Sequence, residues 1–233
     1  MNSLFDLSQL SFEEFVSFFF DHDMATEEFW YRNPSFDSLS DLDDDGVAAP
    51  LVIVEHMTRL FTNFAETVSE FSLAQVNAGI WAMFTYGSFR LQKHLWLPSV
   101  PLANRLRCIQ SMYFVYSEYV AKSTAPEMEN CFQMWWDFVA SGFWEQLIGR
   151  IEEGDVAALN AEQRRLLDAM FETLSKILAL TDERTQGYAL HGLGHLQHPG
   201  VQKLVQEFLD QHRRKMNDDT IRWVEMCRDG KVM

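Results

Sequence analysis

The sequence contains few of the features that build β-sheets. Two Asp-Gly pairs, Asp45-Gly46 and Asp229-Gly230, are its only hairpin signals of the Asn-Gly or Asp-Gly type, and alternating runs of β-branched residues are scarce. Prolines are also few, at six in 233 residues, so long helices can continue without interruption. These absences argue against a β-sheet fold, and we predict an all-α protein.

Cysteine is scarce as well. Cys108, Cys131 and Cys227 are odd in number, far apart and without Cys-x-x-Cys spacing. This pattern argues against a disulfide framework and against a structural zinc site. Thiols of this kind fit a reducing compartment, so we predict a cytoplasmic protein.

Long apolar runs and an export signal are missing too. No uninterrupted apolar segment approaches the roughly 18–20 residues of a transmembrane helix. The N-terminal residues lack a basic region and a small-residue cleavage site, so we expect no signal peptide. We therefore predict no membrane association.

Basic residues are greatly outnumbered by acidic ones. The chain has 34 acidic residues against 19 lysines and arginines, a net charge of −15. A nucleic acid or an anionic membrane would require a basic face, so neither partner is predicted. Residues 1–50 hold 12 of the acids and only Arg32 as a base, which gives that segment −11. The acidity either keeps the protein soluble or attracts a basic protein partner.

Motifs for common enzymatic chemistry are absent from the sequence. There is no Gly-x-Ser-x-Gly nucleophile motif, no Gly-x-Gly-x-x-Gly fingerprint and no Walker phosphate loop, and no predicted strand for either loop to follow. We therefore predict a non-enzymatic protein with no cofactor.

What the sequence does contain is helical periodicity. Apolar residues recur at helical spacing along most of the chain, and capping-box patterns at Ser11, Ser72 and Asn160 mark the starts of three helices. We predict nine or ten helices joined mostly by short turns. Such connections indicate either an irregular multi-helix bundle or a short α-solenoid of antiparallel helix pairs.

Composition suggests how the chain is divided. Residues 1–50 are predicted to form an acidic N-terminal segment of two short helices and a loop. Residues 51–233 are predicted to form the helical domain, which a polar break near 149–160 would subdivide.

The acidic segment supplies the candidate partner-binding residues. We single out two aromatic residues and four nearby carboxylates: Trp30, Tyr31, Asp41, Asp43, Asp44 and Asp45. Three of those aspartates and Gly46 also match the first half of an EF-hand loop. Position twelve of that loop is Val52 rather than the required glutamate, which argues against calcium.

Residues 181–210 predict one helix, a tight turn and a second helix. Their order of Asp182-x-Arg184, Ala189-Leu190, Leu193-Gly194, turn and helix resembles a HEAT-type repeat. The resemblance implies stacked antiparallel helix pairs that act as a protein-binding scaffold. The HEAT-like iron hydroxylases use His-Glu ligands, and this chain has only the reverse order, Glu55-His56.

The same stretch holds the strongest candidate for chemistry. His191 and His195 are four residues apart on one helix face, and His198 is three further on, a spacing that could bring imidazoles onto one metal ion. The motif lacks the glutamate of His-Glu-x-x-His. The alternative is that these histidines stabilise the negative end of the helix dipole.

We therefore predict a non-enzymatic helical protein-interaction module, bacterial and cytoplasmic. Its acidity and helical class favour an immunity-type or inhibitor-type protein that blocks a protein partner, which would be basic. The alternative hypothesis is a metal-binding protein or metal-dependent enzyme that uses His191 and His195. A third hypothesis is a structural subunit of a larger assembly.

Overall fold

The fold is all-α, as predicted. The computed structural model describes residues 6–26, 30, 49–85, 89–125 and 130–232, and it is 72% helical, with ten α-helices and no β-strand in those ranges. The helices are α1 Phe12–Phe20, α2 Pro50–Thr62, α3 Phe64–Thr67, α4 Leu73–Phe84, α5 Leu102–Phe114, α6 Asn130–Glu145, α7 Ala161–Leu178, α8 Glu183–Leu196, α9 Val201–His212 and α10 Asp218–Arg228. A π-helix, Val115–Val120, continues α5, and short 3-10 turns occupy Leu7–Gln9, Leu91–Leu95, Val156–Ala158 and Arg213–Lys215.

The three predicted capping boxes start α1, α4 and α7. In each, the side chain of Ser11, Ser72 or Asn160 accepts a hydrogen bond from the backbone N–H of the third helical residue, and a side-chain oxygen of that third residue accepts the backbone N–H of the cap. Each box satisfies backbone N–H groups that would otherwise have no partner at a helix start. These local signals are confirmed.

Other predicted boundaries need correction. Apolar residues at helical spacing from residue 50 to about 70 predict one helix, but Asn63 ends α2 and precedes the four-residue α3. The apolar segment 89–96 predicts a further short helix, and the structure has a 3-10 turn there, Leu91–Leu95. The sequence predicts Thr181 as the N-cap of α8, but Asp182 caps that helix, because its Oδ1 accepts the Thr185 N–H at 2.9 Å. Pro199 is expected in the first turn of α9, but it precedes that helix.

The longer helices form two stacks. The first stack is α2, α5 and α7, in which α5 packs on both neighbours. The second stack is α4, α6 and α8, in which α6 packs on both neighbours. Successive members of the two stacks alternate along the chain, and α7 also packs on α8. The last two helices pack on each other, and α10 closes the far side of α8.

One hydrophobic core runs through this arrangement from Leu7 to Val232. The helix α6 lies at its centre, with Trp135, Trp136 and Phe143 fully buried. The N-terminal helix α1 packs on α4 and contributes its phenylalanines to the same core. Within the described ranges, none of the helices is long and apolar enough to cross a lipid bilayer.

Candidate functional site

Two of the predicted histidines meet an aspartate between adjacent helices of the second stack. His191 and His195 on α8 and Asp137 on α6 each offer a donor atom, and the three atoms lie within 4.8 Å of one another. His195 Nδ1 is 3.6 Å from Asp137 Oδ1. The centroids of the two imidazole rings are 4.8 Å apart, in an edge-on arrangement. We call these three residues the His–Asp cluster.

Close packing of α6 against α8 fixes the position of this cluster. A Cβ atom added to Gly192 would lie 2.4 Å from Trp136 Cβ, so the two helices approach as closely as they do because position 192 has no side chain. Trp144 Nε1 donates to the Leu196 carbonyl at 3.2 Å and holds the end of α8 on α6. The cluster is therefore built on rigid elements.

The cluster combines burial with unmet hydrogen-bonding capacity. His191 is 3% exposed, while the His195 and Asp137 side chains are each 21% exposed. The Nε2 atoms of both histidines are buried and have no hydrogen-bond partner among the described residues. Burial is the larger cause that lowers the pKa of His191, and the charge of the neighbouring His195 lowers it further. The charge of Asp137 acts in the opposite direction. The Ser141 hydroxyl donates to Asp137 Oδ1 at 3.0 Å.

His198 lies apart from the cluster. Its Nε2 is 3.1 Å from Asp168 Oδ1, its Nδ1 accepts the Gly200 N–H, and its ring stacks on Phe171 with centroids 4.1 Å apart. The third member of the cluster is instead Asp137, to which the spacing of the histidines does not point. The available signal was a carboxylate in the middle of an otherwise strongly apolar helix.

The candidate residues of the acidic segment fall into two groups. Trp30 is 9% exposed and stacks on His22 with ring centroids 3.9 Å apart, in contact with Phe18. Its ring therefore belongs to the core and presents little surface to a partner. The other candidates, namely Tyr31, Asp41, Asp43, Asp44 and Asp45, lie outside the described residues, as does the EF-hand-like match.

A groove of about 820 Å³ opens at the C-terminal end of the bundle, and we call it the C-terminal groove. It lies among the end of α7, the start of α8, and α9 and α10. Four half-buried apolar side chains line it: Leu180, Leu204, Met216 and Trp223. The charged residues Glu183, Glu207 and Lys215 lie exposed around them. The sequence alone does not reveal this groove, because its lining comes from four separate helices.

The Cys108 and Cys227 thiols are not activated as nucleophiles. Burial raises the pKa of the Cys108 and Cys227 thiols to about 12, so both are protonated at neutral pH. Cys131 is also buried.

Comparison with known proteins does not identify a function for this chain, so the geometry of the chain is the basis for a proposal. No family model, no curated protein and no solved structure matches it. The resemblance of residues 181–210 to a HEAT-type repeat stays a prediction. The His–Asp cluster and the C-terminal groove are the two features on which a functional proposal can rest.

Proposed function

We propose that this protein is a non-enzymatic interaction module whose C-terminal groove binds an amphipathic helix of a basic protein partner. The observation that carries the proposal is the groove itself, which combines an apolar floor with two glutamates and one lysine at its edge. An amphipathic helix that lays its apolar face into such a groove is a common mode of peptide recognition.

The floor of the groove has the composition of a binding surface. Leu180, Leu204, Met216 and Trp223 pack on the core on one side and reach the groove on the other. Tryptophan and methionine are enriched at protein interfaces, where a few large apolar side chains supply most of the binding free energy. A helical partner would bury these side chains more completely.

Charge favours a basic partner. Glu183 and Glu207 are exposed beside the floor, and Lys215 is the one lysine or arginine among the described lining residues. The whole chain carries a net charge of −15, which attracts cationic proteins over a longer range. An immunity-type role, in which a basic toxic protein is held inactive, is the specific form of the proposal that this acidity favours.

A designed peptide tests the proposal directly. The probe is a fluorescently labelled helical peptide with leucines at positions i, i+3, i+4 and i+7 and lysines elsewhere. We expect the wild-type chain to bind it, as measured by fluorescence anisotropy. Leu204→Glu should weaken binding by at least about tenfold, which corresponds to about 1.4 kcal/mol.

The sign of the added charge makes this variant informative. A new glutamate would strengthen a purely electrostatic association with a lysine-rich peptide, so a loss of binding isolates the apolar contact. The matched control is Ile148→Glu, which adds the same charge at an apolar residue that is 76% exposed and lies outside the groove. Equal or tighter binding by Leu204→Glu would contradict the proposal, provided that circular dichroism shows a folded variant.

A further inference from the structure

We infer that Asp137, His191 and His195 form a binding site for a first-row divalent transition-metal ion, with Zn²⁺ as the best-suited common ion. This inference goes beyond the proposed function and involves a different part of the molecule. It rests on the distances within the His–Asp cluster, on its unpartnered nitrogens and on its donor types.

The three ligand atoms lie together, although farther apart than they would around a bound ion. The three donor atoms lie within 4.8 Å of one another. Around a tetrahedral Zn²⁺ with bonds of about 2.0–2.1 Å, ligand atoms lie about 3.3 Å apart. Rotation of the imidazole and carboxylate groups can close that difference, since the histidines are one helical turn apart on α8 and Asp137 faces them from α6.

The unpartnered nitrogens indicate what the cluster lacks. A buried polar atom without a hydrogen bond destabilises the folded state, and His191 and His195 each contain such an atom in Nε2. No described side chain supplies the missing partner. A metal ion would use one nitrogen of each ring, and rotation about the Cβ–Cγ bond selects which nitrogen faces the ion.

The donor types determine the class of metal. Imidazole nitrogen with a single carboxylate suits Zn²⁺ and its first-row neighbours, whereas Ca²⁺ and Mg²⁺ require oxygen ligands throughout. The cluster contains no thiolate, which argues against Cu⁺. The hydrogen bond from Ser141 orients the Asp137 carboxylate, as hydrogen bonds commonly do for metal ligands.

The site is open enough for an ion to enter. The Asp137 and His195 side chains are each 21% exposed, so they connect the buried His191 ring to solvent. Three protein ligands leave a fourth tetrahedral position, which water would fill.

Calorimetric titration of the full chain with ZnCl₂, after treatment with EDTA, tests the inference. We expect one high-affinity Zn²⁺ per chain and a higher melting temperature with Zn²⁺, since an ion that binds only the native state stabilises it. Asp137→Asn and His195→Ala should each weaken binding by at least about tenfold. His198→Gln is the matched control, because it removes a nearby histidine outside the cluster and should leave the affinity unchanged.

Two results of the titration would overturn the inference. One is the absence of stoichiometric Zn²⁺ binding by the wild-type chain. The other is unchanged affinity in both Asp137→Asn and His195→Ala, which would assign the binding to other acidic residues. If those variants do not fold, Co²⁺ added to the wild-type chain decides the matter. Strong visible absorption supports a site of low coordination number, and weak absorption like that of hydrated Co²⁺ contradicts it.

Discussion

At the scale of single residues, two glycines in α8 have opposite roles. Gly192 lies against Trp136 and Leu174, whereas an added Cβ at Gly187 would meet no atom within 4 Å. Both positions are helical, so both would gain up to about 1 kcal/mol of helix propensity from alanine. At position 192 alone, the close packing of α6 leaves no room for a side chain.

We predict that Gly192→Ala destabilises the fold by about 1–3 kcal/mol, because the new methyl group overlaps the Trp136 side chain. Gly187→Ala, in the same helix, should raise stability by about 0.5–1 kcal/mol. Urea unfolding of both variants checks the pair. A Gly192→Ala protein as stable as the wild type would show that α6 and α8 are not in close contact.

A second prediction at this scale concerns acid stability. Burial, assisted by the charge of Lys93, lowers the pKa of His94 from 6.5 to about 3. At a pH between about 3 and 6.5, His94 is protonated in the unfolded chain and neutral in the folded chain. The contribution of His94 is therefore fully present above pH 6.5 and is lost as the pH falls, by about 2 kcal/mol between pH 7 and pH 5.

The measurement is the free energy of unfolding of wild type and His94→Gln at both pH values. The variant should lose about 2 kcal/mol less than the wild type over this interval. The carboxyl groups of Glu14 and Glu118, whose pKa values are lowered by hydrogen bonds, act at lower pH and do not interfere. Equal losses in both proteins would refute the assigned role of His94.

At the scale of helices, Arg184 connects the start of α8 to the segment that follows the π-helix. Its guanidinium donates to the carbonyls of Ala125 at 2.8 Å and Ser123 at 2.9 Å, and it pairs with Asp182. The sequence marked Asp182 and Arg184 only as part of a repeat-like pattern. In the fold they hold the segment after the π-helix against the start of α8.

We predict that Arg184→Lys lowers stability by about 1–3 kcal/mol, since a lysine keeps the charge but cannot reach several carbonyls with one planar group. Arg222→Lys is the control: Arg222 pairs with Asp219 at an exposed site, where the change should stay within about 0.5 kcal/mol. Thermal unfolding compares the two. Similar losses of stability in both variants would argue against a role for Arg184 in holding α8 to the segment after the π-helix.

The helices also show which features a sequence can predict. The capping boxes at Ser11, Ser72 and Asn160 depend on residues three positions apart, so local patterns identified them. The interruption at Asn63 has no such signal, because Phe64 and Val68 continue the apolar stripe and are buried beyond the break. The apolar stripe alone therefore does not show where α2 ends.

At the scale of the whole molecule, the candidate functional features depend on contacts between distant segments. The metal hypothesis grouped His191 and His195 with His198 by their spacing, yet the fold places His198 on Asp168 and brings Asp137 to the other two. The C-terminal groove likewise joins side chains of four helices. Spacing along the chain can indicate a helix face, but it cannot identify what another helix places opposite that face.

The fold therefore suggests a different partner surface from the sequence. The sequence favoured the acidic N-terminal segment, including Tyr31 and Asp41, whereas the described structure offers the C-terminal groove. Hydrogen–deuterium exchange with the leucine–lysine peptide distinguishes these surfaces most directly. We predict that the bound peptide slows amide exchange in α9 and α10 and at the start of α8. Slower exchange confined to residues 31–48, with the groove unaffected, would contradict the proposed function.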